Sequence, residues 1–255
     1  MRFDVQTFFL FIAFMGMQAQ ETNQFDQKGQ RHGMWRGLYD DTKHLRYEGT
    51  FEHGTEIGTF TFYDNTKKKE IIATRVFKNN GEAYTTFFKG KFKVSEGLVL
   101  NKKYEGLWLT YHKESTIVMM RENYKNGELH GEKKVYYHDG DLVEESFYEK
   151  GIRQGLYKKY ALSGKVIEEL TYKDGKMHGP AIYRDYQGEV TAEGQYKDDY
   201  QSGIWKFYKN GKLERTENKD ALRKTRKKGQ ASNPSAEKRP ELKRDFFKNK
   251  NKKKE

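Results

Sequence analysis

Glycine returns at a fixed interval through the middle of this chain: Gly131, Gly155, Gly179 and Gly203 are each 24 residues apart. Three other series keep step with them: Tyr124, Tyr148, Tyr172 and Tyr196; Gly127, Gly151 and Gly175; and Gly140, Gly164 and Gly188, followed by Gly211 after 23. A period in this range belongs to an array of stacked supersecondary units and not to one globular core. Aligned on the first series, units open at Gly33, Gly58, Gly106, Gly131, Gly155, Gly179 and Gly203. Gly58 to Gly106 spans two periods, which puts a degenerate third unit across Asn79–Lys103 and brings the count to about eight.

Inside a unit a large residue often follows the glycine by two, as at Trp35, Phe60, Trp108, Tyr157 and Trp205, while Lys133 and Ala181 break the series. A tyrosine falls five after it at Tyr63, Tyr111, Tyr136, Tyr160 and Tyr208. Such short aromatic runs, bounded by turn residues, read as strands. Asp139-Gly140, Ser163-Gly164, Gln187-Gly188 and Asn210-Gly211 form one set of turns, and Asn126-Gly127, Lys150-Gly151 and Asp174-Gly175 another, half a repeat away. Glycine supplies the positive φ that tight reversals need. Two strands and two turns use up the 24 residues and leave no room for a helix of ordinary length. The expected fold is all-β: an elongated antiparallel array of stacked β-hairpins in a single twisted sheet, from residue 20 to 218. Roughly 16 strands spaced about 4.8 Å apart would extend on the order of 75 Å.

Segments such as Asn126-Gly-Glu-Leu-His-Gly131 and Gly203-Ile-Trp-Lys-Phe-Tyr-Lys-Asn-Gly211 resemble MORN-repeat-variant units, and the chain is similar to the bacterial YwqK-type proteins often labelled antitoxins. The resemblance runs from about Gln27 to Thr216, is strongest over Tyr104–Thr216 and lapses over Asn65–Asn101. It implies a β-hairpin array that binds proteins or membranes, and it brings no catalytic residue with it.

Composition fits a single sheet. Hydrophobic residues make up only 35%, too few for a large two-layer core, while 18 Tyr and 17 Phe can bury ring faces and leave hydroxyls wet. Arg2 precedes an apolar run, Phe8–Met17, and then Gln18-Ala19-Gln20, the order of regions in a secretory signal. Cleavage is expected after Ala19, making residues 1–19 a signal peptide and the mature protein periplasmic or secreted. The other reading is a buried N-terminal strand. Cysteine is absent, which excludes disulfides, thiolate metal sites and a cysteine nucleophile.

The net charge of +12 sits mostly in one place, because Lys219–Glu255 holds 15 Lys or Arg against 5 Asp or Glu. This segment has no hydrophobic period and is expected to be a disordered basic tail. It is either a solubilising extension or an arm for a membrane surface or another polyanion. Nucleic acid is not an expected partner of an exported chain. Phe246-Phe247 could anchor the tail to a groove or a membrane interface, or be incidental.

No pattern argues for catalysis. His32, His130 and His178 each precede a repeat glycine. Equivalent positions in adjacent hairpins lie about 10 Å apart, too far for zinc–nitrogen bonds of about 2 Å, so no metal site is expected. Glu145, Glu169 and Glu193 recur at 24 and fall about 10 Å apart, beyond the roughly 6.5–9.5 Å of an inverting glycosidase. They read as a structural ladder flanked by lysines. There is no nucleophile elbow, phosphate loop or dinucleotide fingerprint. A non-enzymatic scaffold with no cofactor is expected, binding a protein or cell-envelope partner. Exposed aromatics of the later repeats are the candidate contacts: Trp108, Tyr111, Tyr136, Tyr160, Trp205 and Tyr208. Two alternatives are an antitoxin that neutralises a toxin by direct binding, and polyanion or membrane-surface binding through the tail.

Overall fold

The computed structural model describes residues 21–78 and 81–221. The apolar run with its expected cleavage after Ala19, and nearly all of the basic tail, lie outside them. Seventeen strands account for most of the described residues: β1 Gln24–Phe25, β2 Arg31–Leu38, β3 Leu45–Glu52, β4 Thr55–Tyr63, β5 Ile71–Phe77, β6 Glu82–Lys89, β7 Phe92–Leu100, β8 Lys103–Tyr111, β9 Val118–Lys125, β10 Glu128–Tyr136, β11 Leu142–Glu149, β12 Ile152–Tyr160, β13 Val166–Lys173, β14 Lys176–Arg184, β15 Val190–Lys197, β16 Tyr200–Lys209 and β17 Lys212–Asn218. Every strand pairs antiparallel with its neighbours in sequence, so the sheet is one uninterrupted meander. The all-β, single-sheet expectation holds. The repeat glycines lie in even-numbered strands, and the degenerate third unit is β6 with β7.

A single sheet has no second layer to bury its rings, so the rings lie down on their own strands. Trp205 is fully buried, and a Cβ added at Gly194 on β15 would come within 3.0 Å of its indole carbons. Trp108 covers Gly97 and Phe60 covers Gly49 in the same way. In each case the glycine stands 11 residues before the ring, opposite it on the preceding strand. The indole N–H groups of Trp108 and Trp205 then donate to the carbonyls of Leu98 and Gln195, at 2.9 and 3.1 Å. Removing such a side chain from water stabilises the fold by about 1.5–3 kcal/mol.

The two exceptions to the ring series obey the same rule of complementary volume. Ala181 faces the fully buried Leu170, so the large and small partners have changed places. Lys133 faces Glu122 and pairs with it at 2.9 Å, an ion pair four-fifths or more buried. Tyr157 has the small, buried Ser146 eleven residues before it. This side of the sheet is called the ring face below.

A second row of rings ties one hairpin to the next. The opening glycine of six units faces an aromatic on the following strand: Gly33 with Phe51, Gly58 with Phe77, Gly106 with Tyr124, Gly131 with Tyr148, Gly155 with Tyr172 and Gly179 with Tyr196. These glycines all have positive φ, between 63° and 109°. All but Gly33 sit beside register shifts in the pairing with the preceding strand, where only glycine adopts that backbone without strain. Arg153, two residues before Gly155, lies over the rings of Tyr148, Tyr157 and Tyr172 at 5.5, 5.1 and 4.9 Å. Arg31 holds the same place over Trp35 and Phe51.

The turn reading needs one correction. Asn126-Gly127, Lys150-Gly151, Asp174-Gly175 and also Asn210-Gly211 have positive φ at both residues, as a two-residue type I′ hairpin requires. At Gly140, Gly164 and Gly188 only the glycine is positive, within longer loops such as the one where the Tyr137 N–H reaches the Asp141 carbonyl. Asn210-Gly211 shares the sequence phase of the longer loops but not their geometry, because Lys209 and Lys212 are direct partners and the turn is tighter. The 23-residue step from Gly188 to Gly211 reflects that change of turn.

Both outer strands are blunted. β1 is two residues long, and Phe25 sets its ring edge-on to Trp35. β17 exposes Lys212, Glu214 and Arg215, and its Arg215 guanidinium sits 4.0 Å over Phe207. Asp220 accepts the Gly203 N–H at 3.0 Å. Short or charged edges discourage further strand addition.

Candidate partner-binding face

The opposite side of the sheet carries a polar ladder. Glu48, Glu96, Glu145 and Glu193 each accept a hydrogen bond from the tyrosine fifteen residues later: Tyr63 at 2.5 Å, Tyr111, Tyr160 at 2.6 Å and Tyr208 at 2.8 Å. Arg184 replaces the tyrosine opposite Glu169, at 4.0 Å. Lysines flank the row, with Lys206 3.0 Å from Glu193 and Lys158 3.8 Å from Glu145. The recurring glutamates thus form a structural ladder with cations beside it.

The ladder shifts its members' ionisation in opposite directions. Burial, reinforced by the Glu48 carboxylate, pushes the Tyr63 phenol up to about 12. Burial and Glu96 raise Tyr111, and burial and Glu145 raise Tyr160. The hydrogen bonds from Tyr208 and Lys206 hold Glu193 below the usual carboxylate value. At Glu96 burial opposes the charge, but bonds from Tyr111, Lys93 and Thr86 outweigh it and its pKa also falls. Each rung thus favours a neutral phenol, and at Glu96 and Glu193 an ionised carboxylate.

The six candidate aromatics divide between the two faces. Trp108 and Trp205 are 4% and 0% exposed on the ring face, so they are packing residues and cannot meet a partner. The spacing that marks them as large and recurrent is the spacing of the glycine seats. Tyr111, Tyr160 and Tyr208 lie half-buried on the ladder face with their hydroxyls committed to glutamates. Tyr136 shares that face and borders a shallow depression of about 260 Å³ with Leu107, Arg121, Asn123, Glu132 and Lys134.

Exposed apolar side chains recur along the sheet, with Leu156 and Ile204 at the repeat position of Leu107. Ile72, Val76, Tyr84, Val94 and Leu107 are 40–46% exposed on β5, β6, β7 and β8. Val76 faces Tyr84, and Tyr84 faces Leu98, so part of the patch is a continuous cross-strand row. Sequence reasoning missed it because the segment departs from the repeat. The available signal was Ile71-Ile72-Ala-Thr-Arg-Val-Phe77, in which Thr74 stands where other units place Glu48, Arg121, Glu145, Glu169 and Glu193. Of the pairs from β2 to β17, β5 with β6 alone runs without a register shift among the described residues.

Among the described residues no group of three or more His, Asp or Glu converges as a metal site would require. His53 instead bonds Asp26 at 2.7 Å, and His32 packs on the His53 ring. No helix of the described residues is long and apolar enough to cross a membrane.

Comparison with known proteins agrees with the repeat geometry. The family described as MORN repeat variant matches residues 129–150 and 153–174, which cover β10 with β11 and β12 with β13. No curated protein matches the chain. Among solved structures, a point mutant of S. aureus TarM in complex with Fondaparinux, alpha-GlcNAc-glycerol and UDP aligns at 19% identity, over 48% of this chain and 19% of that one, with a TM-score of 0.22. A likeness that low carries no argument about fold or activity. The two matched segments are successive hairpins of one continuous meander, and these two repeats are similar to the MORN repeat variant.

Proposed function

We propose that this protein is a non-enzymatic scaffold that binds a protein partner along the ladder face, in the periplasm or at the cell envelope. The observation that carries the reading is the apolar patch of Ile72, Val76, Tyr84, Val94 and Leu107 beside Thr74, which replaces the charged ladder residue on β5. A contiguous apolar patch rimmed by polar residues is the common mark of an interaction surface. The repeat type supports a binding role, and the ladder supplies a rigid polar surround for it. The finer YwqK-type resemblance is part of the same proposal and rests on the motifs alone.

Crosslinked pull-down from envelope fractions tests the reading with the wild-type chain beside Val76→Glu and Tyr84→Glu. We expect one protein enriched by the wild type and lost from both variants. Recovery of the same set by all three would overturn the assignment of the face. Sequencing the N-terminus of the native protein checks the compartment, and retention of Met1–Ala19 would favour the antitoxin alternative, which needs an unexported chain.

A further inference from the structure

One rung of the polar ladder has reversed its charge. On β3, β7, β11, β13 and β15 the ladder position is Glu48, Glu96, Glu145, Glu169 and Glu193. On β9 it is Arg121, and the residue fifteen later is Tyr136. The donors that hold the carboxylate elsewhere are still in place. Tyr136 and Lys134 on β10 match Tyr208 and Lys206 on β16, which grip Glu193 at 2.8 and 3.0 Å. They also match Tyr160 and Lys158 on β12 around Glu145.

In place of the acceptor stands a third donor. Arg121 and Lys134 are direct cross-strand partners, an arrangement of like charges that destabilises a sheet. Lys134 is relieved by Glu132 at 2.8 Å and has Glu145 as its partner on β11. Arg121 makes no ion pair or hydrogen bond among the described residues, and neither does the Tyr136 hydroxyl. Both border the depression of about 260 Å³, beside Asn123 and Leu107.

We infer that this depression binds a carboxylate presented by an acidic segment of a partner protein, held by Arg121, Lys134 and Tyr136. The carboxylate would occupy the place that a glutamate fills in the sister units, with the guanidinium adding a bidentate contact. This rests on the partner-binding reading above and names the chemistry of one contact within it.

The test uses the full chain labelled with 3-fluorotyrosine and read by fluorine NMR, the Tyr136 signal being identified by its loss in Tyr136→Phe. The probes are an acetylated, amidated tetraglutamate peptide and, separately, inorganic phosphate. The basic tail contains no tyrosine, so any peptide it binds does not register directly. We expect the Tyr136 resonance to move saturably with the peptide while those of Tyr160 and Tyr208 stay. Arg121→Glu, which restores the sister-unit pattern, should weaken the effect by more than about tenfold, as should the milder Arg121→Gln. An unmoved Tyr136 signal, or an equal response in both variants, overturns the site. A response to phosphate without one to the peptide overturns its assignment to a carboxylate. The titration needs no native partner, so it and the pull-down can fail independently.

Discussion

At Gly194 the absent side chain is the structural element, because the Trp205 indole occupies the space that a Cβ would take. The same holds at Gly49 and Gly97, and none of the three has the positive φ that explains most glycines here. Gly194→Ala is therefore expected to destabilise the protein by about 1–3 kcal/mol, the range for forcing extra volume into a filled site. Urea unfolding followed by tryptophan fluorescence measures it, and an unchanged midpoint would show that the ring does not rest on the strand. These seats were available in the sequence as Gly, Ser, Leu or Glu eleven residues before Trp or Phe, Tyr, Ala or Lys. A reading that follows only the dominant 24-residue series passes over them, because the small and large members trade places at Leu170 and Ala181. For the same reason Trp108 and Trp205 look like surface contacts until the pairing shows what lies beneath them.

Between neighbouring strands the ladder links stability to pH at both ends of the scale. A phenol that ionises less readily in the folded chain contributes stability that is complete below its unfolded pKa near 10 and is lost as pH rises through the folded value. Tyr63 is raised by burial and Glu48 from 10.0 to about 12, and Tyr124 by burial and Glu122 to about 12. The urea midpoint should accordingly hold to about pH 10 and fall between about 10 and 12. Tyr63→Phe, with no phenolic proton to lose, should start lower and fall less steeply over that window. The carboxylates work in the opposite sense. Glu96 and Glu193 lie below 4.5 when folded, so their contribution is present above that value and disappears as pH falls through the folded pKa. Equal slopes for wild type and Tyr63→Phe in alkali would remove the ladder from the account of stability. The alternation of Tyr and Glu was visible as two separate series in the sequence. That they meet follows from the register, which sets fifteen residues of chain around one hairpin turn.

For the whole molecule, stability should follow the way the seats are partitioned between hairpins. In a repeat array each unit contacts only its neighbours, so removing one unit costs its own interfaces and little more. Deleting Asp141–Gly164 removes 24 residues and leaves Glu122 with Lys133 and Leu170 with Ala181, while Gly131 gains Tyr172 as its facing ring. Deleting Ile152–Gly175 removes the same number but sets Ser146 against Ala181, two small residues where each had a large partner. The first deletion should unfold cooperatively with near wild-type character, and the second should be less stable by about 3 kcal/mol from the cavity. Chemical denaturation of the two variants decides it. The reverse order would mean that the cooperative unit is the other hairpin phase. At this scale the third unit also stands apart, since it joins β5 without a register shift and Thr74 on β5 replaces the charged ladder residue.

The amino-acid sequence alone determined the strand order, the turn positions and the lack of room for a helix within a repeat, because a 24-residue period, glycine at reversals and alternating aromatics are local properties of the chain. Only the tertiary structure decided which face each ring occupies, where apolar surface stays uncovered and that Arg121 has no acidic partner among the described residues. Those outcomes depend on bulges that shift register, and where the shift is by one residue it turns the later side chains to the other side of the sheet.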